Sequence, residues 1–87
     1  MPQITWTAHA WDDYLFWQKA DKTVLKRINM LIKDAMRTPF EGIGKPEALR
    51  FDLAGYWSRR IDQEHRLVYS YEGKTDTLII VQCRYHY

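Results

Sequence analysis

Apolar and polar residues alternate over Gln3-Ile4-Thr5-Trp6, recur at helical spacing over two longer stretches, and alternate again from residue 56 onward. That order predicts a strand, two helices and then further strands. Thr7 is placed to cap a first helix running to about Lys19. Asp12 and Asp13 fall in its first turns, where the helix dipole favours negative charge, and Trp11, Tyr14, Leu15 and Phe16 or Trp17 recur on one side. Asp21 is a second cap. Beyond it, Val24, Leu25, Ile28, Leu31, Ile32 and Ala35 form an i, i+3, i+4 stripe, read as core. Thr38-Pro39 ends that helix, because the residue before a proline avoids the α region. So short a link between helices predicts an antiparallel hairpin.

Residues 39–55 change character, since Pro39, Gly42, Gly44, Pro46 and Gly55 break any regular element. A loop this long in a small domain is either functional or disordered. Leu49, Phe51 and Leu53 alternate within it, which predicts a part pinned to the core as a short strand. Tyr56 to Ile61, Arg66 to Tyr71 and Thr77 to about Tyr85 read as strands, with Glu72-Gly73-Lys74-Thr75-Asp76 as a hairpin turn. The expected fold is α+β, a single domain over residues 1–87. An N-terminal strand and a two-helix hairpin pack on one face of a small antiparallel sheet.

Period two then sorts the strand residues. Leu67, Tyr69 and Tyr71 share a face opposite Arg66, Val68 and Ser70, and an inward Ile61 turns Ser58 and Arg60 outward. If the helices cover Ile79 and Val81, then Arg66, Arg84 and His86 converge on the open side. A single bulge would invert this assignment.

Composition narrows the class. With 46% hydrophobic and 15% aromatic residues, the chain can build a core without disulfides, and the four tryptophans are expected there. Cys83 is the only cysteine, so no internal disulfide forms, which fits a reducing cytosol. There is no charged-then-apolar leader and no apolar run of about eighteen residues, which argues for a cytoplasmic protein without a membrane association. The net charge of +2 is too small to argue for nucleic acid. The kind of base is more telling. After residue 40 it is mostly Arg (Arg50, Arg59, Arg60, Arg66, Arg84), the side chain that grips phosphate with paired hydrogen bonds.

The final residues, Arg84-Tyr85-His86-Tyr87, put a guanidinium, an imidazole and two phenols after the apolar run Leu78-Ile79-Ile80-Val81. Sheet hydrogen bonds are expected to hold them. Cutting RNA through its own 2′-hydroxyl needs a base, a cation for the phosphorane-like transition state and an acid for the leaving 5′ oxygen. His86 suits the acid and Arg66 the cation, helped by Arg60 or Arg84. Glu47, in Gly44-Lys45-Pro46-Glu47, is the natural base, although spacing alone does not bring it to His86.

The runs Trp11-Asp12-Asp13-Tyr14, Arg37-Thr38-Pro39-Phe40-Glu41-Gly42, Gly44-Lys45-Pro46-Glu47, Trp57-Ser58-Arg59-Arg60-Ile61, Glu64-His65-Arg66-Leu67-Val68-Tyr69 and Cys83-Arg84-Tyr85-His86-Tyr87 together resemble the YoeB-type toxins of bacterial toxin–antitoxin modules, within the wider RelE-like superfamily. The resemblance runs from Trp6 to the terminus. It implies a ribosome-dependent endoribonuclease that cleaves mRNA in the A site without metal or cofactor and leaves a 2′,3′-cyclic phosphate. By matching position it implies Glu47 as general base, Arg66 as transition-state stabiliser and His86 as general acid, with Tyr87 ordering the site. Arg50, Arg60, Arg84 and Lys45 are the RNA-binding candidates. It further implies a YefM-like, partly disordered antitoxin as partner, and a homodimer.

Other residues are assigned plainer roles. His9 is expected to be exposed, and His65 to support its turn. Cys83 and His86 have ligand-like spacing, but zinc needs more ligands than these two. An exposed Trp57 or Tyr85 would offer a surface for stacking on an RNA base. The rival reading is a catalytically silent module of the same fold that binds RNA or antitoxin and acts in operon repression. Dependence of RNA cleavage on His86 separates the two.

Overall fold

A computed structural model describes residues 2–87. The elements run β1 (Gln3–Trp6), α1 (Ala8–Ala20), α2 (Lys22–Arg37), β2 (Glu47–Ala48), a 3-10 turn (Phe51–Leu53), β3 (Trp57–Arg60), β4 (Arg66–Glu72) and β5 (Thr77–Gln82). The caps are those expected. The Thr7 hydroxyl accepts from Ala10 N–H at 3.1 Å, and the Asp21 carboxylate accepts from Thr23 and Val24 N–H. Asp21 alone separates the helices, and Tyr14 Oη donates to Asn29 Oδ1 across them at 2.7 Å. The stripe on α2 is core: Ile28, Leu31, Ile32 and Ala35 are buried.

The five strands form one sheet in the order β1-β5-β4-β3-β2. It is antiparallel except at β1, which lies parallel to β5; the helix pair carries the chain from β1 to β2 at the opposite edge. The expectation of a wholly antiparallel sheet is therefore corrected at the β1 edge. The helices pack against Leu67 and Tyr69 of β4 and Leu78 and Ile80 of β5, with Ile61 and Cys83 completing the core.

Four further expectations change. On β5 the inward residues are Leu78 and Ile80, not Ile79 and Val81, which are only half-buried. Tyr69 pairs with Ile80 and Val68 with Gln82, so Val81 is an extra residue at a β-bulge. The bulge resets the alternation and turns Cys83 inward. The last strand also ends at Gln82, so its ladder does not hold the terminal residues. Leu49, Phe51 and Leu53 do not form a strand: Leu49 is buried, while Phe51 stands 92% exposed on the 3-10 turn. Finally, Asp13 is not a solvated dipole partner. It is buried on α1 and its carboxylate accepts from Cys83 N–H at 3.1 Å. Of the tryptophans, Trp17 is buried, whereas Trp11 on the outer side of α1 is exposed.

Candidate active site

The open face of the sheet is set by β3. Trp57 and Arg59 pair with Tyr69 and Leu67 on the helix side, so Ser58 and Arg60 project to the other. Glu47 on β2 pairs with Ser58, which puts its side chain on that open face as well. Strands about 4.8 Å apart, with residues about 3.4 Å apart along them, place Glu47 within about 10 Å of Arg60. Arg60 in turn pairs with Arg66 of β4.

Two like charges directly opposed across a ladder are unfavourable, and although Asp62 lines the same hollow, it forms no ion pair with either arginine. Among the described residues, neither Arg60 nor Arg66 lies within ion-pair distance of a carboxylate, and neither does Arg27, which reaches the same hollow from α2. Arg27 Nη2 donates to the Arg60 carbonyl at 3.2 Å. Arg66 Nη1 donates to the carbonyls of Asp62 at 2.6 Å and His65 at 3.0 Å, which aims the guanidinium without neutralising it. The group suits an anion with several acceptor oxygens. Arg27 has no motif around it in sequence, which is why its place here was not legible there.

The terminal segment reaches this face through contacts made by side chains. α1 grips Cys83 on both sides, with Asp13 taking its N–H and Trp17 Nε1 donating to its carbonyl at 2.8 Å. His65 Nδ1 then accepts from Tyr85 N–H at 2.7 Å, and Arg66 N–H donates to the Tyr85 carbonyl at 3.0 Å. Tyr85 sits in the left-handed region at φ +67°, which turns the chain back. Tyr87 thereby lies over β3, its hydroxyl 3.5 Å from Ser58 Oγ, and shares an open cleft with Glu47, Leu49, Arg50, Phe51 and Leu53. The exposed His86 ring stacks on that of Tyr87, centroids 4.5 Å apart.

Glu47 and the terminal aromatic pair therefore occupy one side of the molecule, open to solvent. Arg50 is exposed in the same cleft, and Lys45 is exposed just ahead of Glu47, at φ +52°. Arg84 does not converge with Arg66 and His86. Its guanidinium lies 3.5 Å from the centre of the Phe16 ring and 4.5 Å from that of Tyr85, tying the tail to α1. Because β5 ends before it, the strand alternation that would have turned Arg84 outward does not extend that far.

The loop that carries Glu47 is held from inside by Arg59, whose side chain is wholly buried. Its guanidinium donates to Asp34 Oδ2 at 2.6 Å, to the carbonyls of Thr38, Glu41 and Ile43, and to Tyr69 Oη. Ile43 N–H also donates to Asp34, and this bond, followed by that from Arg59, holds the carboxyl below its ordinary range. Tyr69 donates onward to the Pro39 carbonyl at 2.7 Å, and burial pushes its phenol up. Gly42 has φ +122°, and a Cβ there would collide with the Asp34 carboxylate. Alternation with Ile61 already set Arg59 on the face opposite Arg60, but nothing in it showed that a guanidinium there would be sealed on Asp34 and the loop carbonyls.

His65 is packed edge-on against Trp17, ring centroids 4.8 Å apart, and serves the tail as well as its own turn. Trp57 lies half-buried beneath Phe40 and is not free to stack, while Tyr85 is exposed on the outer side of His65. Cys83 is buried, and burial followed by the Asp13 carboxylate pushes its thiol up to about 12. It faces the core while His86 faces solvent.

A family model described as the YoeB-like toxin of bacterial type II toxin–antitoxin systems matches residues 6–87. Toxin YoeB of Escherichia coli strain K12 is 58% identical over 85 residues, covering 98% of this chain and 99% of that one. Among solved structures, a YoeB/ParE toxin from Agrobacterium tumefaciens superposes with a TM-score of 0.95 at 54% identity, covering 98% of this chain and 99% of that one. YoeB of Staphylococcus aureus has been solved as a heterotetrameric YoeB–YefM complex, with TM-score 0.89, 45% identity, and 100% and 99% of the two chains covered. It has also been solved as a dimer, with TM-score 0.90, 46% identity, and 99% and 98% covered.

Proposed function

This chain belongs to the YoeB-like toxins of bacterial type II toxin–antitoxin systems, and from that premise we propose that it is a ribosome-dependent endoribonuclease cutting mRNA in the A site. The observation that carries the reading is a juxtaposition. A solvent-open carboxylate, Glu47, shares a cleft with Tyr87, on which His86 stacks, on the sheet face that also carries Arg60 opposite Arg66.

In the reaction, Glu47 takes the proton of a ribose 2′-hydroxyl. The oxygen so freed attacks the adjacent phosphorus while the bond to the 5′ oxygen breaks. Arg66, with Arg60 beside it, faces the added negative charge, where preorganised donors stabilise most. His86 gives its proton to the departing 5′ oxygen, leaving a 2′,3′-cyclic phosphate on the upstream fragment. Protons and charge balance without a metal. Tyr87, stacked on His86 and set over Ser58, orients the acid. Arg50 and Lys45 hold RNA along the cleft. Arg84 acts on RNA indirectly, by fixing the tail against Phe16.

The partners follow from the same premise. The Staphylococcus relative assembles with YefM and also forms a dimer. We assign this chain a YefM-like, partly disordered antitoxin that covers the basic face, and a homodimeric free form. The site of action is the cytoplasm, with the ribosome. Among the described residues no helix is long and apolar enough to cross a membrane.

The test is His86→Gln on mRNA-programmed ribosomes. The expected result is loss of cleavage with unchanged thermal unfolding and unchanged ribosome binding, and with cyclic phosphate ends found only in the wild-type reaction. Cleavage by the variant within a few-fold of wild type overturns the acid role. A wild type that binds without cutting favours the silent operon-repression module.

A further inference from the structure

Phe51 is 92% exposed, far more than any other large apolar side chain among the described residues. Burying such a ring ordinarily stabilises a fold, and here that gain is forgone. Its backbone is also unfavourable, at φ +57°, in a region that side-chain-bearing residues rarely adopt. The turn is nonetheless well fixed. Leu53 N–H donates to the Arg50 carbonyl, Ala54 N–H to that of Phe51, and Leu49 N–H to that of Tyr56, with Leu49 buried as the anchor. A rigid turn thus holds an aromatic ring out in water, where it serves no packing role.

The surroundings say what the ring meets. Phe51 lines the cleft shared by Glu47, Arg50 and Tyr87, and neighbouring Asp52 does not. Among the described residues Arg50 has no carboxylate within ion-pair distance. A π face beside an unpaired guanidinium matches a nucleobase joined to its phosphate.

We propose that Phe51 is a stacking platform for a nucleobase next to the scissile phosphate, setting the register in which the 2′-hydroxyl meets Glu47. This rests on the RNA-cleaving reading and adds a substrate-positioning residue to it.

The experiment compares Phe51→Ala, Phe51→Leu and Phe51→Trp with wild type. It reads KM and kcat on programmed ribosomes, affinity for a short single-stranded RNA carrying a 2′-O-methyl block, antitoxin affinity and thermal unfolding. Ala and Leu are expected to weaken RNA binding and raise KM by about 5- to 150-fold, as loss of one base–aromatic stack does. Trp should stay within about threefold of wild type, and unfolding should be undisturbed because the ring is in solvent.

Equal RNA binding by all four proteins overturns the proposal. So does a Leu variant that matches Trp, which would mark an apolar contact with protein, or a loss confined to antitoxin affinity. Wild-type protein that neither binds nor cuts RNA overturns the parent reading along with it. Failure of the stacking role alone shows only in the variants, with wild-type cleavage intact.

Discussion

His65 Nδ1 accepts the hydrogen bond of the Tyr85 amide at 2.7 Å, so the imidazole carries its proton on Nε2, facing Glu64 Oε1 at 3.7 Å. A residue from the β3–β4 turn thus clasps the terminal segment two positions after Cys83 and one before His86. The clasp has a floor in Trp17, which also holds the Cys83 carbonyl. Placement of His86, the proposed acid, depends on this chain of contacts.

His65→Ala should therefore lower cleavage about tenfold or more, since small misplacements of reacting groups are costly. Thermal stability should fall only by about 1 kcal/mol, the usual net worth of one hydrogen bond. His65→Asn, whose amide oxygen can accept in place of Nδ1, should recover much of the rate. Amide exchange at Tyr85 and His86 provides the independent readout. Unchanged exchange in the Ala variant would remove the clasp from the account.

Arg66→Ala should reduce the cleavage rate by two or more orders of magnitude, the loss of one preorganised stabiliser being about 2.7–4 kcal/mol. Single-turnover rates at saturating ribosomes make the measurement. If only KM rises, Arg66 is a phosphate anchor.

Asp34→Asn leaves the Arg59 guanidinium buried without its counter-charge, a change that typically costs about 3–5 kcal/mol. The carboxyl of Asp34 is held below its ordinary value of about 3.9. Its stabilising contribution is therefore present above that value and disappears as pH falls through the lower folded one. Urea unfolding of wild type and variant should differ most at neutral pH and converge at strongly acid pH. A constant difference down to acid would show that Asp34 is not the group responsible.

Cys83 carries the opposite sign. Its thiol is pushed up to about 12 from an ordinary value of about 8.5. Burial of the neutral thiol thus stabilises the fold below about pH 8.5, and that stabilisation is lost as pH rises toward the folded value. Native protein at pH 8 should resist a maleimide until urea unfolds it, as read by mass. Rapid labelling without unfolding would contradict the burial.

Local chemistry along the chain was enough to place both helices with their Thr7 and Asp21 caps, the α2 core stripe, β1, and the outward turn of Ser58 and Arg60. Each depends on neighbours within a few positions, which is the range over which periodicity and capping act. Among the proposed site residues, Arg66 and His86 stood out because their chemistry suits a phosphodiester, whereas only the family resemblance singled out Glu47. The tertiary structure decided everything set by pairing between distant segments. The extra residue Val81 appears only when β5 meets β4, and it puts Cys83 on the same inward face as Leu78 and Ile80. Alternation separates Arg59 from Arg60, but the sealing of Arg59 on Asp34 and on the carbonyls of Thr38, Glu41 and Ile43 is decided by how α2 and its following loop pack over β3. The path of the tail over Ser58 and the stranding of Phe51 in water follow in the same way. A side-chain grip on a remote amide, or a ring that packs on nothing, leaves no period in the sequence.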